Sequence, residues 1–308
     1  MRNSNPNMLL YIAMADAYAA AVEYGRFPES NTLREECLKF QRYLAHPTHD
    51  NPPSTYTDDT EMSAANTKVL LQHDEPFSPL MFAEAYVNEF RRGGCRNGYS
   101  RGFQAILERV RTGAELLKEL KPDSNKNGAA MRSVPFGVLP TVDEVLNVAT
   151  LQARITHDTP EGRFSARAVA LMSHAVLYED AVFLPDLGEY CKKHLPPEDV
   201  QRFGYVFSER WPDMPVKSYT GASVAITTVH AVVDVLARKN SLMGIMRRII
   251  TWGGDTDSVA AIAWGIASAR YQDEKLPAFM LRDLEGGNAK TGAPYLRILG
   301  EQLMYKYR

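Results

Sequence analysis

The sequence predicts an all-α protein. Three observations carry that reading: apolar residues recur at spacings of three and four, two-residue alternation is missing over any useful length, and alanine is frequent enough to let helices approach closely. Near the start, Leu10, Ala13, Met14, Ala17, Ala21 and Tyr24 share one helical face. A second face holds Ala166, Val169, Ala170, Val176 and Leu177, and a third holds Val259, Ile262, Ala263, Ile266 and Ala267. Tyr205-Val206-Phe207 is the best short strand candidate. The proline-rich stretch 46–54 and the segment 121–127 read as surface loops. No repeat or low-complexity linker divides the chain, so residues 1–308 are expected to form a single compact domain.

Composition narrows the function classes. With 45% hydrophobic and 23% charged residues over 308 positions, the chain buries too much apolar surface to be intrinsically disordered. A formal net charge of −2 with no long basic run argues against a dedicated nucleic-acid binder, because little would neutralise phosphates. The scattered cysteines Cys37, Cys95 and Cys191 fit neither a disulfide framework nor a CxxC zinc site, so a cytoplasmic location is expected. The apolar stretch 8–22 is interrupted by Asp16 and falls short of the roughly 20 residues that span a bilayer. The protein is therefore expected to be neither secreted nor membrane-bound.

Chemistry concentrates in two segments. Tyr56-Thr57-Asp58-Asp59-Thr60-Glu61-Met62 and Trp252-Gly253-Gly254-Asp255-Thr256-Asp257-Ser258 each stand directly before a helical pattern, and each packs two aspartates among hydroxyls. Capping accounts for part of this. Asp58 with Glu61 reads as a capping box, and Asp255 or Thr256 suits a helix start. A cap uses one side-chain oxygen, however, which leaves the second aspartate of each pair unexplained. Should the two helix starts meet, Asp58, Asp59, Asp255 and Asp257 would repel one another unless divalent cations sat among them. Mg²⁺ and Mn²⁺ favour such carboxylate and hydroxyl oxygens, and two ions are expected, held by Thr57, Asp58, Asp59, Asp255, Asp257 and Ser258.

In that order along the chain, the two segments resemble the paired signatures of the ADP-ribosylglycohydrolase family. Met14-Ala15-Asp16-Ala17 resembles the family's opening Gly-Asp-Ala, with Ala15 in place of the glycine, and Glu23 falls where the family has a glutamate. Arg96-Asn97-Gly98-Tyr99 is similar to a central Arg-Gly-Tyr-Gly element. Asn127-Gly128-Ala129-Ala130-Met131-Arg132 resembles the Asn-Gly-Ala-Ala-Met-Arg block, preceded here by Asn125 and Lys126. Thr156-His157 resembles a Thr-His pair. Ser258 stands where threonine is commoner, and it occurs among the arginine-specific relatives.

The resemblance implies a single orthogonal helical domain with a binuclear Mg²⁺ or Mn²⁺ centre. It implies hydrolysis of the glycosidic bond between ADP-ribose and a protein side chain, arginine above others. An ADP-ribosylated protein is then the substrate, ADP-ribose the product and a cognate ADP-ribosyltransferase a possible partner. Glu23, Asp59 and Asp255 are the expected catalytic residues, with Glu23 handling a proton near the scissile bond. Glu23 either shares a helical face with Asp16 or sits on the loop after it, before Gly25 and Pro28. Asp16 is expected to orient a metal ligand. Tyr99, Ser124, Asn127, Gly128 and His157 are expected to bind substrate, with Tyr99 and Phe103 stacking on adenine. As lone aromatics these two are more often core, Asn-Gly is more often a plain turn, and His157 also reads as part of a helix start at Asp158-x-x-Glu161. A non-catalytic ADP-ribose reader, a stoichiometric transferase inhibitor and a pyrophosphohydrolase are the competing functions.

Overall fold

The computed structural model describes residues 3–25, 29–46 and 50–308. Every regular element among them is helical, and pairing between extended segments is limited to isolated bridges. Pro28 and residues 47–49 of the proline-rich stretch lie outside the described residues.

The first half of the chain contains α1 (Met8–Ala19), α2 (Glu29–Cys37), α3 (Asp58–Gln72), α4 (Pro79–Arg92), α5 (Arg101–Arg109), α6 (Gly113–Glu119), α7 (Gly128–Met131) and α8 (Val142–Ala153). The second contains α9 (Pro160–Tyr178), α10 (Leu187–His194), α11 (Pro197–Phe203), α12 (Val224–Arg238), α13 (Leu242–Trp252), α14 (Thr256–Ala267), α15 (Ala278–Arg282) and α16 (Ala293–Lys306). Boundaries follow local chemistry. Thr141 and Glu144 form a reciprocal capping box at the start of α8. Thr159 accepts from the Gly162 amide and Pro160 opens α9, so that helix starts one residue beyond the expected Asp158.

The sequence suggested single apolar faces, but α1 and α14 are buried on every side. A helix apolar all round belongs in the middle of a core, and these two pack along each other in the most extensive helix pair of the molecule. Their small residues, Ala13, Ala17, Ala260 and Ala263 among them, permit close approach. Around this pair α3, α9, α12, α13 and α16 complete one continuous core. Burying one leucine- or valine-sized side chain contributes roughly 1.5–3 kcal/mol, so the site below rests on a stiff base.

Tyr205-Val206-Phe207 is not a strand. It lies in a 3₁₀ turn, Gly204–Phe207, that directs Val206 and Phe207 into the core beside Phe164. Three apolar residues in a row match the burial of either structure, and no neighbouring strand is present among the described residues to pair with them.

Candidate functional site

The two acidic segments converge. α1 runs to Ala19 and continues through a 3₁₀ turn, Ala20–Val22, after which Glu23 takes an extended ψ of 127°. Glu23 therefore sits on the loop after the helix and does not share an unbroken helical face with Asp16. Tyr24 follows in the left-handed region at φ 43°. Its amide donates to the Gly254 carbonyl at 2.8 Å, which ties the end of α1 to the start of α14.

Asp16 lies fully buried on α1, yet it caps α3. Its Oδ2 accepts from the amides of Thr57 at 3.0 Å and Thr60 at 3.1 Å, and from the Thr60 hydroxyl at 2.6 Å. Its Oδ1 accepts from the Thr57 hydroxyl at 2.9 Å. The N-cap residue Thr57 makes no capping bond of its own, and Glu61 is engaged elsewhere, so the Asp58–Glu61 capping box does not form. Glu61 accepts instead from Arg96 Nε at 2.9 Å and from the Tyr99 hydroxyl at 2.6 Å. A carboxylate imported from another helix thus satisfies the Thr57 and Thr60 amides at the start of α3 and complements its dipole. Asp58 and Asp59 are thereby released from capping.

At the other helix start, backbone shape does the same work. α13 ends at Trp252, and Gly253 and Gly254 reverse the chain with φ of 75° and 82°. A Cβ on Gly254 would lie 2.1 Å from the Val216 carbonyl oxygen, so only glycine fits. The Asp255 amide donates to that carbonyl at 2.8 Å. Asp255 occupies the N-cap position without a side-chain capping bond, and the Thr256 hydroxyl donates to the Ala19 carbonyl at 2.8 Å. Asp255 Oδ2 accepts from Asn127 Nδ2 at 3.0 Å and from the Tyr24 hydroxyl at 3.2 Å.

Two carboxylate groupings result. Oxygens of Asp16, Asp59 and Asp257 lie within 4.8 Å of one another, and so do those of Glu23, Asp255 and Asp257. Asp16 is already saturated by Thr57 and Thr60, so its place in the first grouping is supporting. Asp59 Oδ1 and Asp257 Oδ1 are buried without any hydrogen-bond partner. A buried carboxylate oxygen with no donor is costly, and a divalent cation is the partner this donor set suits. The half-buried Asp58 lines the same cleft, and the Thr57 and Ser258 hydroxyls stand beside Asp59. Burial, and then the charges of Asp16 and Asp58, push Asp59 well above the ordinary carboxylate range. Asp257 rises for the same reason, with Glu23 and Asp59 as its charged neighbours, and burial raises Asp255 and Asp58 as well.

Glu23, Asp58, Asp59, Asp255, Asp257 and Ser258 line a cleft of about 830 Å³. Lys121, Lys126, Lys217 and the buried Arg132 line other parts of the wall, so the cleft carries both signs of charge. The sequence names Arg132 and Lys126 only within and beside the Asn-Gly block and gives none of the four cations a role, because isolated basic residues carry no signal until the fold gathers them. Arg132 is held by Gln152 Oε1 at 2.6 Å and by Thr156 Oγ1 at 2.7 Å, and it lies over the Tyr86 ring.

Tyr99, Phe103, Ser124, Asn127, Gly128 and His157 all line this cleft. Tyr99 is buried between Phe90 and Phe103 with its hydroxyl on Glu61. The Ser124 hydroxyl accepts from the Lys126 amide at 3.2 Å. Asn127 directs its amide group to Asp255 and Thr228. A Cβ on Gly128 would meet the His157 ring at 2.8 Å. His157 Nδ1 contacts Thr156 Oγ1 at 2.6 Å, and burial pushes its pKa down to about 3, so the ring is neutral in use. Glu23 Oε2 contacts His46 Nε2 at 3.1 Å. No helix of the described residues is long and apolar enough to cross a membrane.

Known proteins resemble this chain over most of its length. ADP-ribosylhydrolase ARH3 of Xenopus tropicalis is 25% identical, over 90% of each chain. ARH3 of Homo sapiens is 23% identical over 75% of each chain, and an uncharacterized protein of Archaeoglobus fulgidus is 26% identical over 86% of each. A solved ADP-ribosylglycohydrolase-related protein complex shares the fold with a TM-score of 0.71 at 22% identity, over 98% of this chain and 97% of that one. The ADP-ribosylglycohydrolase family model matches residues 7–306, almost the whole length, and the chain belongs to that family.

Proposed function

We propose that the protein is a metal-dependent hydrolase that removes mono-ADP-ribose from a modified protein side chain, arginine being the acceptor. The observation that carries this reading is the pair of buried, partnerless carboxylate oxygens, Asp59 Oδ1 and Asp257 Oδ1, on residues lining a cleft whose wall also carries cations. Thr57, Asp58, Asp59, Asp255, Asp257 and Ser258 would hold two Mg²⁺ or Mn²⁺ ions. When bound, such ions activate water as a nucleophile at neutral pH and orient ribose hydroxyls.

The remaining roles belong to the chain. Lys126, Lys217 and Arg132 offset the charge of the diphosphate, with Ser124 and the Gly128 backbone beside it. Neutral His157 hydrogen-bonds the adenosine ribose, and Tyr99 and Phe103 flank adenine. The distal ribose then reaches the acidic end. Negative charge on Asp59 and Asp255 stabilises the oxocarbenium character that develops at its C1. Glu23, held by His46, handles the proton at the glycosidic nitrogen. An arginine acceptor is cationic, which suits a mouth lined by Glu23 and Asp255. We place the activity in the cytoplasm, with the whole chain acting as one domain, opposite a cognate ADP-ribosyltransferase.

Mass spectrometry of products from arginine-linked and serine-linked ADP-ribosyl peptides tests this. Intact ADP-ribose from the arginine-linked peptide is expected, with turnover silenced by EDTA and restored by Mg²⁺ or Mn²⁺. AMP release would replace the reading with pyrophosphate hydrolysis. Binding without turnover would replace it with an ADP-ribose reader or transferase inhibitor.

A further inference from the structure

Tyr24 is a residue that the roles above leave without a task at the substrate. Its backbone stands in the left-handed region at φ 43°, where a non-glycine side chain is uncommon. The fold holds it there by hydrogen bonds that its amide N–H donates to the Gly254 carbonyl and its phenol O–H donates to Asp255. The side chain is also unusual for its exposure, at 49%. The other strongly exposed large apolar side chains among the described residues, such as Leu80, Phe183 and Tyr305, lie away from the cleft, whereas Tyr24 lines it.

Its position decides what it can touch. Glu23 precedes it and Asp255 accepts its hydroxyl, so the ring lies beside the carboxylates. Cations on the wall suit the diphosphate, which places the distal ribose at the carboxylates and the acceptor beyond it, toward solvent. An exposed aromatic face flanked by carboxylates suits a planar cation, through ring quadrupole and charge together. A neutral hydroxyl-linked acceptor has neither interaction to gain.

We infer that the Tyr24 ring is the platform on which the guanidinium of the acceptor arginine lies, which makes Tyr24 a specificity-determining residue. This rests on the hydrolase reading above. The phenol hydroxyl has a separate positioning task on Asp255, so ring and hydroxyl are separable by substitution.

The test measures KM for an arginine-linked ADP-ribosyl peptide alongside the inhibition constant of free ADP-ribose, which lacks an acceptor. Thermal melts of each variant control for folding. Tyr24→Leu is expected to raise KM about fivefold to tenfold, while the ADP-ribose inhibition constant stays within about twofold. Tyr24→Phe keeps the ring, so KM should hold while kcat falls through the lost bond to Asp255. Equal changes in KM and inhibition constant, or no change in either, would overturn the inference. Wild-type release from serine-linked but not arginine-linked peptide would overturn it while leaving a glycohydrolase in place. Release from neither would defeat the hydrolase reading itself.

Discussion

The starts of α3 and α14 have nearly the same composition, two aspartates among hydroxyls, but they are built differently. At α3 the helix amides are satisfied by a side chain from elsewhere, Asp16 on α1. At α14 they are set by a glycine turn locked against Val216. Asp16 is surrounded by donors, whereas Asp257 has an oxygen with none. Two buried aspartates on neighbouring elements therefore have opposite relations to stability. One is an acceptor the fold needs, and the other is a charge the fold tolerates for its chemistry.

Substitution should separate them. The largest effect is expected from Asp257→Asn, which should lower turnover by at least about a hundredfold and abolish melting-temperature shifts induced by Mg²⁺ or Mn²⁺. In chelator the same variant should melt higher than wild type, because it removes repulsion; a lower melt would place Asp257 with Asp16. Glu23→Gln is expected to lower kcat about tenfold to a hundredfold with little change in ADP-ribose affinity, measured by steady-state kinetics and calorimetry. The reverse pattern would make Glu23 a binding residue.

Asp16→Ala should destabilise the protein by about 2 kcal/mol in denaturant titration, since it strands the amides of Thr57 and Thr60. Asp16→Asn keeps an acceptor oxygen and should lose less. The smallest effect is in pH. Burial pushes the Asp16 carboxyl up to about 6 and raises Asp58, Asp59 and Asp257 well above the carboxylate range. The folded, cation-free protein then binds more protons than the unfolded chain in the acid range. Its melting temperature should rise as pH falls from about 7 to about 5. Divalent cations should reverse that trend, because they require the carboxylates ionised.

What the sequence made legible follows from range. The acidic pairs, the glycines before Asp255 and the helical periods are local patterns, and the structure brings all four aspartates into one cleft. The helix class held for the same reason. The Asp58–Glu61 box failed because α3 is capped one residue earlier, at Thr57, by the carboxylate of a residue 41 positions upstream, while Arg96 and Tyr99 hold Glu61, and no local rule sees such partners. Likewise Tyr205–Phe207 offered three apolar residues without a neighbour to decide between strand and turn. Tyr24 and Lys217 were missed as site residues because each reads as an ordinary core or surface residue, and Arg132, although it closes the Asn-Gly block, carries no role legible from its neighbours. Their relevance comes from a backbone angle or from elements far apart in sequence.

The dependence of α3 on Asp16, and of Asp255 on the Val216 carbonyl, has a bearing on synthesis. The groups that build the acidic end stretch from residue 16 to residue 258, and the two central helices that carry its ends are α1 and α14. A nascent chain still lacking α14 has neither a finished core nor a second set of carboxylates. Catalytic competence on the ribosome should thus arrive in a single late event, and fragments cut before that point should be inert unless supplied with the missing piece.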